Sequence, residues 1–431
     1  MMDDRKIVRS VMDRLDKAGI DQFQVIFHRI LKQEIYAEED QIKGLKTNNE
    51  IKLELTGITN YSKGVLTVNN SDKESIDNAV EELLVIISSA KRDKANQISD
   101  IPANENFQSG PRKADLDLMY NRLKTLIQYV NETYPLIIQR LSRIEYIQDV
   151  AHYENSNGVQ FQSKQGYYNF LNFFLSKKGK TSSSNNNSYF ISRDLKGEII
   201  NYGLIDALLK QSSEQIFTKN IDEKFRGKVI ITPQCLSRLI NYFATFLTNV
   251  WIVPGMTYLK EKLNKKIASP MFTLHSRPTS NEMVKGHYFT HDGFKAGDCT
   301  LIERGVLKSF LLDLYGSLKT GLPRAVNDGG CYVVDPGQVN LSDIIKEIDR
   351  GILLGRISAS YPSQNLDFNW VAKNSCYIEN GKIQFPITET MISGNIIDLF
   401  KNIEAISREA VNFGDGIYPW ILSDGVIISG K

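Results

Sequence analysis

The stretch Ser375–Lys382 reads Ser-Cys-Tyr-Ile-Glu-Asn-Gly-Lys, an apolar run that leads into a polar turn. Asn and Gly tolerate the positive φ angles that a tight turn between two strands requires. The alternation of apolar and turn residues continues through Pro386–Thr388 and Ile392–Asn395. This spacing predicts a series of short strands joined by tight turns in the C-terminal part of the chain.

Segments of the same character lie upstream and at the C-terminal end. Phe289–Phe294 reads Phe-Thr-His-Asp-Gly-Phe, and Gly305–Asp313 reads Gly-Val-Leu-Lys-Ser-Phe-Leu-Leu-Asp. Gly316–Gly321 and Gly329–Pro336 are rich in glycine, and Tyr418–Ile421 lies near the end of the sequence. The physical role of these turn residues is scaffolding, because Gly and Asn stand where the backbone needs positive φ.

In their order and spacing, these segments resemble the TldD/PmbA family. The N-terminal half agrees, because Asn155–Gly158 is similar to a hairpin turn of that family. The resemblance implies an α+β fold with a mixed helix and sheet N-terminal part and a β-rich C-terminal part. It also implies proteolysis by a paired assembly. TldD-type chains carry an HExxxH helix that resembles a zinc peptidase site, whereas PmbA (TldE)-type chains accompany them without it.

The N-terminal half predicts a helix over residues 4–19, followed by several strands and a second helix to about residue 90. Residues 91–113 are polar and predict a linker. A helical region is expected over 114–144, kinked or divided by Pro135. These features suggest three domains: residues 1–110, residues 111–222 and a β-rich domain over residues 223–431.

Two polar segments in this half predict turns. Asn155–Gly158 reads Asn-Ser-Asn-Gly between two β-like runs, which favours a hairpin with a type I′ turn. The tract Thr181–Ser188 contains only Thr, Ser and Asn and predicts a solvated hairpin loop; a flexible flap is the functional alternative. A core-facing strand is not expected there.

The composition narrows the class of protein. The chain has 52 basic and 50 acidic residues, 42% apolar residues and a formal net charge of +2. A chain of 431 residues is long enough for more than one core. The charge balance gives no reason to expect direct nucleic-acid binding. No apolar run approaches the roughly 20 residues that a membrane-spanning helix needs.

The cysteines predict a reducing compartment. Cys235, Cys299, Cys331 and Cys376 lie far apart and form no CxxC pair. This spacing is typical of reduced thiols in a cytoplasmic protein and suggests neither a disulfide framework nor a zinc knuckle. A thiol at a helix start, such as Cys235, is more often inert than reactive.

The five histidines bear on the zinc chemistry of the family. A catalytic zinc needs about three protein ligands and an open position for water, with a glutamate as general base. None of the five histidines precedes a glutamate. The helix that corresponds to the zinc helix of TldD-type chains is predicted over Cys235–Thr248, and it contains neither histidine nor glutamate. No catalytic residue and no cofactor are therefore expected in this chain, and zinc is expected in a partner subunit.

His287 and His291 are the remaining metal candidates. Histidines four apart share one face of a helix, but Gly286 and Gly293 bracket this segment and favour a strand or a turn. In a strand, positions four apart are separated by roughly 13 Å, too far for one ion. A turn without metal is therefore the preferred interpretation. Nearby, Arg324, Asp328 and Asp335 lie among glycines, and we expect them to line a cleft shared with a partner chain.

Two functions follow from the resemblance. The first is a PmbA/TldE-type subunit that pairs with a zinc-bearing TldD-type chain and helps it cleave unfolded peptides. The alternative is a peptide-binding or regulatory protein of the gyrase-modulator type that cleaves nothing. A homodimer in place of the heterodimer is also open. A peptide is expected to bind as an added strand at a sheet edge, a mode that reads backbone more than side chains.

Overall fold

The structure is a computed structural model that describes residues 4–358 and 360–430. Its strands form two large sheets, an eight-stranded sheet from the N-terminal part and a thirteen-stranded sheet from the C-terminal part. Helices cover both sheets, so the predicted α+β class is confirmed. In the described residues, no helix has the length and apolar character needed to cross a membrane.

The first sheet has the strand order β3-β2-β1-β5-β6-β4, with β7 and β8 also paired to β6. Helix α1 packs on one face because its buried side chains recur at helical spacing. The elements of this part are α1 (Asp4–Lys17), β1 (Gln22–Glu38), β2 (Gln41–Thr59), β3 (Ser62–Val68), α2 (Lys73–Ser89), β4 (Ala103–Ser109), α3 (Leu116–Thr133), β5 (Ile137–Asn155), β6 (Val159–Lys178), β7 (Thr181–Ser182), β8 (Asn186–Ser192) and α4 (Ile205–Glu214).

The predicted linker and the predicted long helix in this part are wrong. The expected linker over residues 91–113 contains β4, which pairs in parallel with β6. The helix expected over 114–144 ends at Thr133, and residues 137–144 already belong to β5. Pro135 lacks an N–H and disfavours the helical conformation of the residue before it, so it ends the helix instead of kinking it. The predicted boundaries at residues 110 and 222 stay predictions; the first sheet takes strands from both sides of residue 110.

The hairpin at Asn155–Gly158 is confirmed, but its turn type differs from the prediction. β5 and β6 pair in antiparallel register on either side of the turn. Of the four turn residues only Gly158 has positive φ, at 84°. A type I′ turn needs positive φ at both central residues. This hairpin instead fits a type I turn followed by a glycine that forms a β-bulge.

The polar tract Thr181–Ser188 is not a solvated loop. Ser183, Asn186 and Ser188 are buried, and the tract runs into β8. Side chains from the C-terminal part donate to its backbone: Gln234 Nε2 lies 2.9 Å from the carbonyl oxygen of Asn187. The tract therefore joins the two sheets, a contact that sequence composition does not reveal.

The second sheet is built around its last strand, β21, which pairs with β9, β13, β19 and β20. The turn between β17 and β18 has positive φ at both Asn380 and Gly381, as the sequence predicted for a tight turn. The elements of this part are β9 (Phe225–Ile231), α5 (Pro233–Thr245), α6 (Asn249–Ile252), β10 (Leu274–Ser276), β11 (Cys299–Glu303), β12 (Val306–Leu307), α7 (Leu314–Thr320), β13 (Tyr332–Val334), α8 (Leu341–Lys346), β14 (Arg350–Leu354), β15 (Arg356–Ser358), β16 (Asp367–Lys373), β17 (Cys376–Glu379), β18 (Lys382–Pro386), β19 (Thr390–Asn395), α9 (Ile396–Lys401), β20 (Ile403–Asn412) and β21 (Gly416–Ser429). Two 3₁₀ turns, Ile199–Asn201 and Tyr258–Glu261, complete the secondary structure of the described residues.

Candidate functional site

The turn Thr290–Phe294 anchors the second sheet to the first. The carbonyl oxygen of His291 accepts a hydrogen bond from Gln24 Nε2 at 3.1 Å. The hydroxyl of Tyr153 in turn donates to Gln24 Oε1 at 2.8 Å. Gly293 closes the turn with φ of 86°, and its Cα faces the Tyr153 hydroxyl so closely that a Cβ would lie 2.1 Å from that oxygen. Only glycine fits this position.

Asp292 forms the most buried ion pair of the site. Its side chain is about 10% exposed and that of its partner Arg324 about 18%. Arg324 Nε donates to Asp292 Oδ2 at 2.8 Å, and the second oxygen also accepts from Thr290 Oγ1 at 2.6 Å. The guanidinium also stacks over Phe294, 3.8 Å from the ring centroid. Burial acts to raise the pKa of Asp292, but the hydrogen bonds and charge of Arg324 outweigh it and the pKa lies below its usual value.

His291 lies between two carboxylates. Its Nδ1 is 2.9 Å from Asp328 Oδ1, and its Nε2 is 3.3 Å from Asp313 Oδ2. Hydrogen bonds to Asp313 and Asp328 raise the pKa of His291 to about 10, so the ring is an imidazolium at neutral pH. Burial works against ionisation of Asp313, yet the hydrogen bond from His291 and the N–H of Gly316 hold its pKa at about 2. The protonated ring therefore joins the start of α7 to the loop of Asp328.

This arrangement predicts an alkaline loss of stability. Because the folded-state pKa of His291 exceeds the unfolded value near 6.5, its contribution is present below pH 6.5 and is lost as pH rises toward about 10. The side chain is 55% exposed, so solvent screening weakens the effect. We expect the stability difference between the wild type and His291→Gln, measured by urea unfolding, to be largest at pH 5.5 and to vanish near pH 10. A difference that does not change with pH would contradict the imidazolium assignment.

A cavity of about 350 Å³ separates the first sheet from the loop that carries His287 and His291. Part of its lining on the sheet side is the row of cross-strand neighbours His28, Ala151 and Ser163, which Phe107 continues outside the cavity. Cross-strand partners share a face of the sheet, so two small residues in the middle of the row leave a gap. The small side chains at these two positions therefore contribute to the space of the cavity.

Three of the five histidines line this cavity, which we call the inter-sheet cavity. His28 donates from Nδ1 to Asp149 at 3.0 Å. His287 is partly buried, its Nε2 has no hydrogen-bond partner, and burial lowers its pKa, which leaves the ring neutral. His291 and Asp328 close one end of the cavity. The cavity is thus lined by a neutral His287 and a protonated His291. Titratable groups with shifted pKa values are common at functional sites.

A second cavity of about 370 Å³ lies on the other side of His291 and Asp328, which line both cavities. The segment after Asp328 has three successive positive φ angles: 82° at Gly329, 79° at Gly330 and 47° at Cys331. Such conformations are uncommon for a residue with a side chain such as cysteine and concentrate at functional sites. The backbone strain in this segment therefore lies at Cys331, while the hydrogen bonds from the N–H and Nδ1 of His291 position Asp328 between the two cavities.

Among the described residues, one group of three side chains has the spacing of metal ligands: His291, Asp292 and Asp328, with ligand atoms within 4.8 Å of one another. Protein groups already use these atoms. Both ring nitrogens of His291 face carboxylates, and both oxygens of Asp292 accept hydrogen bonds. Both oxygens of Asp328 likewise accept hydrogen bonds from His291, so we assign no metal here.

The predicted site residues lie in different places. Arg324 and Asp328 come together with His291 beside the second cavity. Asp335 lines neither cavity and instead pairs with His275 Nε2 at 3.0 Å. Asp292 and Asp313 were not predicted as site residues, although they stand within the segments Phe289–Phe294 and Gly305–Asp313. The His28–Asp149 pair was not predicted either, because its members lie on different strands.

Helix α5 is the element in which the resemblance places the zinc ligands of TldD-type chains. The helix spans Pro233–Thr245, so it ends earlier than the predicted Thr248. Its inner face packs into the core, with Leu239, Ile240 and Phe243 almost fully buried. Cys235 is its one residue of a zinc-binding type, and burial raises the pKa of that thiol to about 12. The residues present do not fit a catalytic zinc.

Comparison with known proteins agrees with the fold and the sequence segments. Residues 225–430 match a family described as the PmbA/TldA metallopeptidase C-terminal domain. A metalloprotease PmbA homolog from Haemophilus influenzae is 21% identical over 99% of this chain and 96% of that protein. TldE from Thermococcus kodakarensis superposes with a TM-score of 0.82 at 20% identity, over 97% of this chain and 100% of that chain. A Bacteroides thetaiotaomicron protein provisionally named a modulator of DNA gyrase gives a TM-score of 0.88 at 21% identity over the full length of both chains. Residues 225–430 therefore belong to the TldD/PmbA family, and the chain is similar to proteins of that family over nearly its whole length.

Proposed function

We propose that this chain is a PmbA/TldE-type subunit of a two-chain metallopeptidase and does not itself hold the catalytic zinc. The observation that carries the proposal is helix α5, which contains neither histidine nor glutamate and turns Leu239, Ile240 and Phe243 into the core. A zinc peptidase needs metal ligands and a general base. This helix supplies no such set, so a TldD-type partner would supply it.

The role that remains for this chain is to help hold an unfolded peptide. The inter-sheet cavity and the second cavity lie on the two sides of His291, and both present hydrogen-bonding groups and apolar walls. Concave sites of this kind, with a few polar groups in fixed positions, are typical of ligand binding. The four free thiols favour a cytoplasmic location, because scattered reduced cysteines suit a reducing compartment.

The test is zinc content and peptidase activity, measured on an unstructured fluorescent peptide. We expect the purified chain alone to be free of zinc and inactive. Mixed with the TldD-type protein of the same organism, it should raise cleavage well above the rate of that protein alone. Replacing the glutamate of the partner's HExxxH motif by Gln should abolish cleavage, because the general base is lost.

Lys346→Ala serves as the matched control in this chain, since Lys346 is exposed and lines neither cavity. This variant should support cleavage as the wild type does. Stoichiometric zinc together with cleavage by the chain alone would contradict the proposal. A mixture that binds the peptide without cleaving it would instead favour the binding or regulatory function.

A further inference from the structure

The second cavity has an apolar wall that reaches the protein surface at Val250. Leu311, Leu312 and Ala325 form its inner wall and are almost fully buried, whereas Val250 is 73% exposed at its mouth. A single exposed valine is ordinary on a protein surface. Here, however, the exposed side chain continues the apolar lining of a cavity, so together they form one apolar surface open to solvent. We call it the Val250 cavity.

The polar end of the Val250 cavity is electrically balanced. Its charged lining residues are His291, Arg324, Asp313 and Asp328, two cations and two anions. Each is already paired: His291 with the two aspartates, and Arg324 with Asp292 behind the wall. A charged ligand would have to break one of these pairs or remain uncompensated in a partly buried place. The lining therefore favours an uncharged ligand.

The Val250 cavity also has a rigid shape. Asn249 lies against α7 at Gly316, where a Cβ would be 1.9 Å from the Asn249 side-chain oxygen. Asp313 caps α7 through the N–H of Gly316 at 2.8 Å, and His291 holds Asp313 from the other side. These contacts fix the polar end. A volume of about 370 Å³ is at the small end of the range of ligand cavities. It suits one or two side chains, not a folded domain.

We propose that the Val250 cavity is a specificity pocket for a bulky aliphatic side chain of an unfolded peptide. The proposal rests on the proposed function and adds a substrate class to it: peptide segments that contain leucine, isoleucine or methionine. The apolar wall and Val250 bury the side chain, while the neighbouring polar groups remain near the peptide backbone. The gain comes from removing apolar surface from water, and charge contributes little.

The experiment is fluorescence anisotropy of labelled peptides with the purified full chain. One eight-residue unstructured peptide carries a central leucine, and two others carry serine or lysine at that position. We expect the leucine peptide to bind about tenfold more tightly than either, as burial of most of an aliphatic side chain implies. Val250→Glu and Val250→Ser should remove this preference. Circular dichroism and thermal unfolding check that both variants fold.

Val85→Glu is the matched control, because Val85 is 66% exposed on α2 and lines neither cavity. It should keep the leucine preference. Equal binding of the three peptides, or the same loss in the Val85 and Val250 variants, would overturn the proposal. So would a Val250→Glu variant that binds the leucine peptide normally but fails to assemble with the TldD-type chain, because Val250 would then belong to a subunit interface. Cleavage by the mixed assembly is measured separately, so the proposed function stands or fails independently of this result.

Discussion

Gly293→Ala is expected to destabilise the chain by about 2–4 kcal/mol, more than most single substitutions. The new Cβ would lie 2.1 Å from the Tyr153 hydroxyl oxygen and 2.5 Å from Cζ of the same ring. Tyr153 is fully buried, so its ring has no free space to enter. Either the ring or the Thr290–Phe294 turn must move. Both movements break the hydrogen bonds through Gln24 that join the two sheets.

Gly158→Ala is the matched control for this prediction. Its φ of 84° is almost that of Gly293 at 86°, and nothing lies within 4 Å of its Cβ position. Strain from positive φ alone costs about 1 kcal/mol. Urea unfolding followed by the fluorescence of the three tryptophans, all in the C-terminal part, measures both variants. Equal losses for the two variants would mean that the contact with Tyr153 contributes nothing.

Arg324→Ala should cost about 3–5 kcal/mol, because it leaves the buried Asp292 carboxylate without its cation. Asp292 would keep two hydrogen bonds, from Thr290 and from the N–H of Leu314, but these do not replace a paired charge. The stacking of Arg324 on Phe294 would be lost as well. Arg324→Lys should recover only part of the stability, since an ammonium cannot make the bidentate contact of a guanidinium.

The Arg324 prediction has a pH signature and a control. The pKa of Asp292 is depressed in the folded protein, so its contribution is present above the unfolded value near 3.9 and is lost as pH falls through the folded value. The gap between wild type and Arg324→Ala should therefore shrink in acid. Lys346→Ala, which removes an exposed pair with Asp343, should leave the stability close to that of the wild type, because solvent screens such a pair. If Arg324→Ala and Lys346→Ala lowered stability equally, the buried Arg324–Asp292 pair would contribute no more than an exposed ion pair, contrary to the prediction.

Local signals predicted much of the fold correctly. Asn380-Gly381 predicted a tight turn because both residues tolerate positive φ, and both adopt it. Asn155–Gly158, which lies between two β-like runs, predicted a hairpin in the right place. In each example the relevant forces act between residues close in sequence. Such local preferences can be recognised in a single sequence from residue types and their spacing.

Two of the wrong predictions share a physical cause. Strand β4 and the tract Thr181–Ser188 are polar, so composition predicted a linker and a loop. Both are held by backbone hydrogen bonds to distant segments, and backbone groups are the same in every residue. The turn predicted at His287 and His291 is present, but spacing along the chain did not predict that it brings both side chains to one cavity. The partners of His291 and Asp292 lie 20 to 40 residues away, at Asp313, Arg324 and Asp328. No local pattern marks such pairs.

The central position of β21 in the second sheet has a consequence for synthesis on the ribosome. Ile231 of β9 pairs with Ile421 of β21, so about 190 residues must be translated before the pair can form. At ribosomal rates of roughly 5–20 residues per second, β9 waits on the order of ten seconds or more for its neighbour. Val229, Ile230 and Ile231 are fully buried in the folded protein. They are not covered by β21 until that strand has been synthesised. The N-terminal sheet has all its strands by residue 192 and can fold first, while the nascent second sheet is the part that would engage chaperones.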